Sequence, residues 1–397
     1  MRILVVYMGE YPTQTGASAA ERRVDAIARG IASQGQEVFI AVPRRDDKQI
    51  SLTINGVDVV YLGQARGSGL RHLKSRLSFW SRLQEFVDSE AINWVLLYSP
   101  RIDGLGPAMV LRRKGVKVAA EFCDLRSSGH QRNSLASWLT WSSFKLDEAL
   151  LPRVVDLNIA ISQYLLDHVK ALAPRTSNLH LPILVDNEMF KPNDAARELA
   201  QEKWGINSDD ILFAYAGGLW KEFRVRDLVE AFAQIAEHHP KTRLVIAGRL
   251  DKSPRHDDIA GLIKRLGLED RVVTPGWVST EDVITIYSRA DVLVLPQANN
   301  RFAVAALPTK LAEYSVMGRA IIATDVGDIP QYFHDGENAL LVESESAEAI
   351  AGAMKRLIED PELRRKLAAA AGRVALKYFD YREAGRRIVA VMEEIAN

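Results

Sequence analysis

Short apolar runs alternate with amphipathic stretches along the whole chain. ILVVY (3–7), EVFIAVP (37–43), VDVVYL (57–62), WVLLYS (94–99), VKVAAEF (116–122) and VVDLNIAIS (154–162) form a first series, with a helical pattern from Ala19 to about Gln34 behind the first run. A polar stretch, VDNEMFKPNDAAREL, interrupts the pattern. A second series follows: ILFAYAG (211–217), RLVIAG (243–248), RVVTPG (271–276), DVLVLP (291–296), RAIIATD (319–325) and ALLVE (339–343). Runs that are apolar at every position predict strands buried on both faces, hence parallel sheets covered by helices. Two series with a polar link predict an α/β protein of two doubly wound, Rossmann-like domains. Ligands of such sheets bind beyond the carboxyl ends of the strands, so the residues just after each run are the candidates, facing one another across a cleft.

Length and composition agree with that picture. A chain of 397 residues exceeds one compact core and suits two domains of about 200 each. Formal net charge is zero, which gives no electrostatic case for nucleic acid. Residues 1–194 carry 24 Lys+Arg and 20 Asp+Glu, leaving 27 and 31 for the rest, so the first half is slightly basic. The single cysteine, Cys123, excludes an intramolecular disulfide framework and a cysteine-rich metal site. The apolar run in MRILVVYMGEYP is too short for a signal peptide, and no stretch reaches the ~20 apolar residues of a membrane span. The expectation is a cytoplasmic protein. Segment 70–87, LRHLKSRLSFWSRLQEFV, has Leu70, Leu73, Leu77, Trp80, Leu83 and Phe86 at helical spacing with basic residues between. It reads either as a helix packed on its own sheet or as a peripheral membrane contact.

Several chemistries lack their motifs. There is no Gly-x-x-x-x-Gly-Lys-Ser/Thr, no Gly-x-Gly-x-x-Gly after the first strand, no Asp-x-Asp, no His-Glu-x-x-His and no Gly-x-Ser-x-Gly. A diphosphate would have to be held by backbone amides and cationic side chains rather than through a metal. The loop GGLWKEFRVR (217–226) offers this, with Gly217 and Gly218 for close approach and Lys221, Arg224 and Arg226 beside a helix start. In LPTKLAEYSVMGRAIIATD (307–325), Pro308 suits a first helical turn, with Thr309 or Leu307 near the cap. Lys310 then falls at a helix N-terminus, where a cation is disfavoured unless an anion sits there. Glu313 shares its face; the two read as an ordinary surface pair or as ligand-holding groups. Small residues Gly16 and Ala17 precede the first helix, and Asp124 and His130 follow VKVAAEF, where an acid or base can work.

Taken in order, these stretches resemble the retaining glycosyltransferases of family 4, which have the two-domain GT-B fold. FAYAGGLWKEFRVRDLVEAF is similar to the family's Gly-Arg…Lys-Gly segment, and PGWVSTEDVITIYSRADVLVLP to its Gly-x-Val…Tyr…Ala-Asp-Val…Leu-Pro segment. LPTKLAEYSVMGRAIIATDVGDIPQYFHDGENALLV resembles the Pro-x-Lys-x-x-Glu-Tyr variant and the segments after it, and LPILVDNEMFKP the link to the second domain. The resemblance implies an acceptor-binding domain at 1–190, a nucleotide-sugar-binding domain at 191–378, and a terminal helix, 379–397, that crosses back to the first domain. It implies metal-independent transfer of a sugar from a nucleotide-diphosphate donor, with no further cofactor, to a saccharide, lipid-linked or small-molecule acceptor. By position, Glu313 takes the ribose, and Lys310 and Arg224 the diphosphate, with Pro308 and Thr309 at the same helix end. Gly217 and Gly218 let the backbone approach, Trp277 and Val278 flank the base, Gly16 and Ala17 lie near the phosphates, and Asp124 stands by the reacting sugar. Four positions depart from the pattern: Ala305 replaces a sugar-reading glutamate, Gly218 and Arg224 replace the Arg and Lys of the loop, and Ala17 replaces a glycine. An inactive scaffold or partner subunit of this fold and a sugar-nucleotide epimerase are the other two readings.

Overall fold

The computed structural model describes residues 1–9, 11, 18–44, 51–64, 70–100, 104–127, 134–249 and 257–396. They form two compact units, Met1–Leu184 with Tyr381–Asn397, and Val185–Asp380. The chain passes between units at Leu184/Val185 and Asp380/Tyr381, not at the 190 and 378 expected from the sequence. Val185 donates to the Phe379 carbonyl at 2.9 Å and bridges Asp380, so both passages belong to the second unit.

The first unit holds eight strands: β1 (Arg2–Val6), β2 (Glu37–Arg44), β3 (Ser51–Ile54), β4 (Val57–Gln64), β5 (Trp94–Tyr98), β6 (Lys117–Phe122), β7 (Leu157–Ala160) and β8 (Ser177–His180). Their order is β3-β4-β2-β1-β5-β6-β7-β8, parallel except for the β3–β4 hairpin. β3 and β8 were not among the expected strands. Both are short edge strands, SLTI half apolar and SNLH mostly polar, too short to stand out as apolar runs; the signal for β3 was the Asn55-Gly56 turn, with both residues at positive φ. Successive residues of β1 alternate between two cores. Ile3 and Val5 pack toward Ile27, Ile388 and Met392; Leu4 and Val6 pack toward Phe79, Trp80 and Leu83.

Those last contacts bear on the reading of segment 70–87 as a helix packed on its own sheet. The helix Leu70–Ser89 forms, but Trp80 and Leu83 are core, with only Leu77 exposed among its described apolar side chains; those of 70–76 lie outside the described set. The helix Ala19–Ala32 opens on a capping box, with Ser18 and Glu21 each accepting from the other's backbone N–H. It crosses the helix Tyr381–Ala396 at Gly30 and Gly385. A Cβ on Gly30 would lie 2.2 Å from the Tyr381 carbonyl, so only glycine permits this approach.

The second unit holds β9 (Ile211–Ala216), β10 (Thr242–Ala247), β11 (Val272–Gly276), β12 (Val292–Leu295), β13 (Ala320–Thr324) and β14 (Leu340–Val342). Their order is β11-β10-β9-β12-β13-β14, every pair parallel. Strand order reverses between β9 and β12, and a crevice at that switch point is where such sheets take ligands.

Candidate functional site

At the carboxyl edge of the second sheet, three neighbouring strands each run into a glycine. Gly217 donates to Ala247 O at 2.8 Å and Gly248 to Gly276 O at 2.9 Å, so the ends of β9, β10 and β11 form one hydrogen-bonded step. A Cβ on Gly248 would lie 2.3 Å from the Gly217 carbonyl. Gly248 is a site residue that motif reading missed; its signal was a glycine ending an apolar run.

Lys310 reaches this edge from the helix Thr309–Val316. A Cβ on Gly217, whose φ is +155°, would lie 2.0 Å from Lys310 Cε and 2.5 Å from Nζ. The ammonium also lies 4.6 Å from the Phe223 ring centre and 5.3 Å from that of Tyr215. Rings at this range hold a cation in place. Pro308 is the N-cap rather than the first helical residue, with φ −67° and ψ 123°, and no side chain caps this end. A helix end of this kind favours an anion beside the lysine.

Glu313, one turn on, is only 4% exposed, which removes the ordinary surface pair as an account of it. Its Oε2 accepts from Tyr287 Oη at 3.4 Å, and the same hydroxyl lies 3.4 Å from the Ala216 carbonyl, next to Gly217. Tyr287 is fixed edge-on against Tyr314 at 5.0 Å. Gly217, Lys310 and Glu313, 96 residues apart at the extremes, are thus brought to one strand end.

The other expected residues are placed differently. Gly218 backs onto Phe223, where a Cβ would lie 2.9 Å from the ring, and its carbonyl accepts from Tyr215 Oη at 2.5 Å. Arg224 takes a left-handed conformation (φ 48°, ψ 31°) and forks onto Asp227, at 2.8 and 2.9 Å. In this conformation its guanidinium serves the helix start, not the lysine's edge. Trp277 follows Gly276, is 57% exposed, and has the Arg249 guanidinium 5.6 Å from its ring; Val278 beside it is half-buried. Ala305 is fully buried, and its methyl group offers no carboxylate at that position. Gly16, Ala17 and His130 lie outside the described residues. Among the described residues, no cluster of three His, Cys, Asp or Glu side chains could hold a metal ion. No described helix is long and apolar enough to cross a membrane.

In the first unit Asp124 follows β6, is partly exposed and pairs loosely with Arg126 at 3.6 Å. Behind it lies a group that motif reading missed. Arg23, in the helix Ala19–Ala32, donates to Glu121 Oε1 at 2.7 Å, Pro182 O at 2.7 Å and Leu181 O at 2.9 Å. The two side chains are 2% and 0% exposed. Burial pushes the Glu121 carboxyl upward and Arg23 pulls it back, with a net rise. Burial and the Glu121 carboxylate push the neighbouring Cys123 thiol well above its ordinary range. The signals were a glutamate inside an apolar run and an arginine on the apolar face of a helix.

Comparison with known proteins places this arrangement. Residues 196–374 match the family model of glycosyl transferases group 1, and residues 18–181 that of the glycosyl transferase 4-like domain. Each unit thus carries a match to a glycosyltransferase family model, the group 1 model in the second and the 4-like model in the first. It is 28% identical over 228 residues to the alpha-D-kanosaminyltransferase of Streptomyces kanamyceticus, covering 57% of this chain and 56% of that one. The aligned part spans about half the length of the first curated relatives. Among solved structures, sucrose-phosphate synthase from Thermosynechococcus elongatus superposes with a TM-score of 0.78 at 18% identity, covering 99% and 98% of the two chains. HepE of Anabaena, solved in complex with UDP-glucose, gives 0.75 at 15% identity, covering 99% and 100%. The shared architecture is the GT-B pair of Rossmann-like domains.

Proposed function

We propose that this chain transfers a sugar from a nucleotide-diphosphate sugar to an acceptor hydroxyl, with retention at the anomeric carbon and without a metal. The observation that carries this reading is the Lys310 ammonium, seated on Gly217 and two aromatic rings at an uncapped helix N-terminus. As the anomeric C–O bond breaks, negative charge grows on the departing diphosphate. A fixed cation and helix amides stabilise that charge without reorganising. The second unit binds the donor: Glu313 takes the ribose, the exposed Trp277 indole and Val278 flank the base, and the glycine step lets the phosphates approach backbone. Arg224 joins them only by turning from Asp227. The first unit binds a saccharide, lipid-linked or small-molecule acceptor, with Asp124 at the carboxyl end of its sheet as the candidate acid or base; the roles the resemblance gives Gly16 and Ala17 fall outside the described residues. The glycosyltransferase relatives, and a UDP-glucose complex of a protein of the same fold, support the donor class.

Thermal shift with UDP, GDP, ADP and TDP tests the reading. One nucleotide should stabilise the protein, by roughly 2.7 kcal/mol at a hundredfold excess over its Kd. The shift should vanish in Lys310→Ala and Glu313→Ala. Stabilisation by none of the four would overturn the proposal. Ala305 favours a second reading, a scaffold without turnover; nucleotide binding with no donor consumption across a panel of nucleotide sugars and acceptors would select it. Turnover of a nucleotide sugar with no acceptor would select an epimerase.

A further inference from the structure

A second concave site lies at the opposite end of the first sheet. An open cavity of about 400 Å³ is formed where the helices Leu105–Arg113 and Leu135–Val154 end and β6 and β7 begin. Four cations line it, Arg112, Arg113, Lys117 and Arg153, against one carboxylate, Asp156. That carboxylate is fully engaged. Its Oδ1 accepts from Arg112 Nη2 at 3.0 Å, and its Oδ2 from Arg112 Nε at 3.1 Å and Val118 N at 2.9 Å. Arg112 is thereby neutralised. Arg153 spends one donor on the Leu172 carbonyl at 3.1 Å. Among the described residues, no carboxylate lies within ion-pair distance of Arg113, Lys117 or Arg153.

Two helix carboxyl ends point into the cavity, each worth about half a negative charge. They account for about one of the three remaining positive charges. About two are left, and a phosphate monoester carries about −1.5 to −2 at neutral pH. Arginine forks match phosphate oxygens in geometry as well as charge. Met109, 42% exposed at the rim, adds an apolar surface for the carbon part of a ligand. The six residues of β6 separate this cavity from Asp124 by about 20 Å, so it is not part of the site proposed for glycosyl transfer.

We propose that this cavity binds a phosphate-bearing group, carried either by a free phosphorylated molecule or by a lipid head group. The test uses the full chain and the double variant Arg113→Glu/Lys117→Glu, with Arg113→Gln/Lys117→Gln as a milder pair should charge reversal prevent folding. Calorimetric titration with glycerol 3-phosphate supplies one arm. Co-sedimentation with phosphatidylcholine vesicles, with and without phosphatidylglycerol, supplies the other. Phosphate bound at the second unit is common to all proteins compared, so the difference between wild type and variant reports this cavity. Binding of glycerol 3-phosphate weakened by about tenfold or more in the variants identifies a free ligand, the loss expected from removing charge-assisted hydrogen bonds. Binding to anionic vesicles alone, lost in the variants and at high salt, identifies the lipid source. Equal behaviour of wild type and variants in both arms overturns the proposal. A nucleotide-induced thermal shift retained by the variants would show the two sites to be separate.

Discussion

Each unit carries a cationic side chain to the carboxyl edge of its sheet, and the two are treated in opposite ways. In the first unit Arg23 is sealed from solvent, and its donors are consumed by Glu121 and two backbone carbonyls. In the second, Lys310 lies against a glycine and the faces of Phe223 and Tyr215, beside an uncapped helix end. A buried ion pair spends its charge inside the protein, where it ties the helix, β6 and the segment after β8 together. Ring faces position an ammonium by attraction to their π-electrons rather than by a buried ion pair. Charge near a strand end is therefore not by itself a sign of a binding site; what matters is whether the fold has already neutralised it.

The contrast can be broken most sharply at Arg23. Replacing it by methionine leaves Glu121 as an uncompensated buried charge, and chemical denaturation should show a loss of about 3–5 kcal/mol. A loss no larger than that of a surface substitution would mean the pair is not sealed. The mirror experiment is Lys310→Ala, expected to leave stability nearly unchanged while lowering turnover on the order of a hundredfold, about 3 kcal/mol of barrier. Glu313→Ala should lower it as much. Wild-type rates in both variants would remove these residues from the site.

Gly248→Ala is expected to cost about 1–3 kcal/mol in stability, because its Cβ meets the Gly217 carbonyl rather than a movable side chain. Gly217→Ala is the informative partner: its Cβ meets the flexible end of Lys310, but at a backbone φ of +155° that strains any side chain. It should displace the ammonium and lower both nucleotide binding and stability. The smallest effect concerns Cys123. With its pKa raised, its thiolate fraction at pH 8 is below that of a free thiol. Cys123 is half-buried, so its raised pKa is what should slow iodoacetamide in the folded protein relative to denaturant; equal rates at pH 8 would mean that burial and Glu121 do not hold the thiol protonated.

Much of this was legible along the chain. Apolar runs with helices between them specified two doubly wound sheets, because a strand covered on both faces must be apolar at nearly every position. The edge strands β3 and β8 escaped, since each is too short to stand out as an apolar run. Lys310 stood out locally, as a cation at a helix start after a proline. Its seat on Gly217 did not, being a contact across 93 residues.

Sequence alone therefore determined the fold class, the strand ends on which ligands act, and the residue types available there, because each depends on periodicity and on neighbours a turn or a strand apart. Only the tertiary structure decided which groups each charge meets. Arg23, Arg112 and Arg224 all turn to carboxylates, while Lys310 turns to aromatic rings. Neutralisation depends on distances of a few ångströms between residues far apart in the chain, and no local pattern encodes those distances.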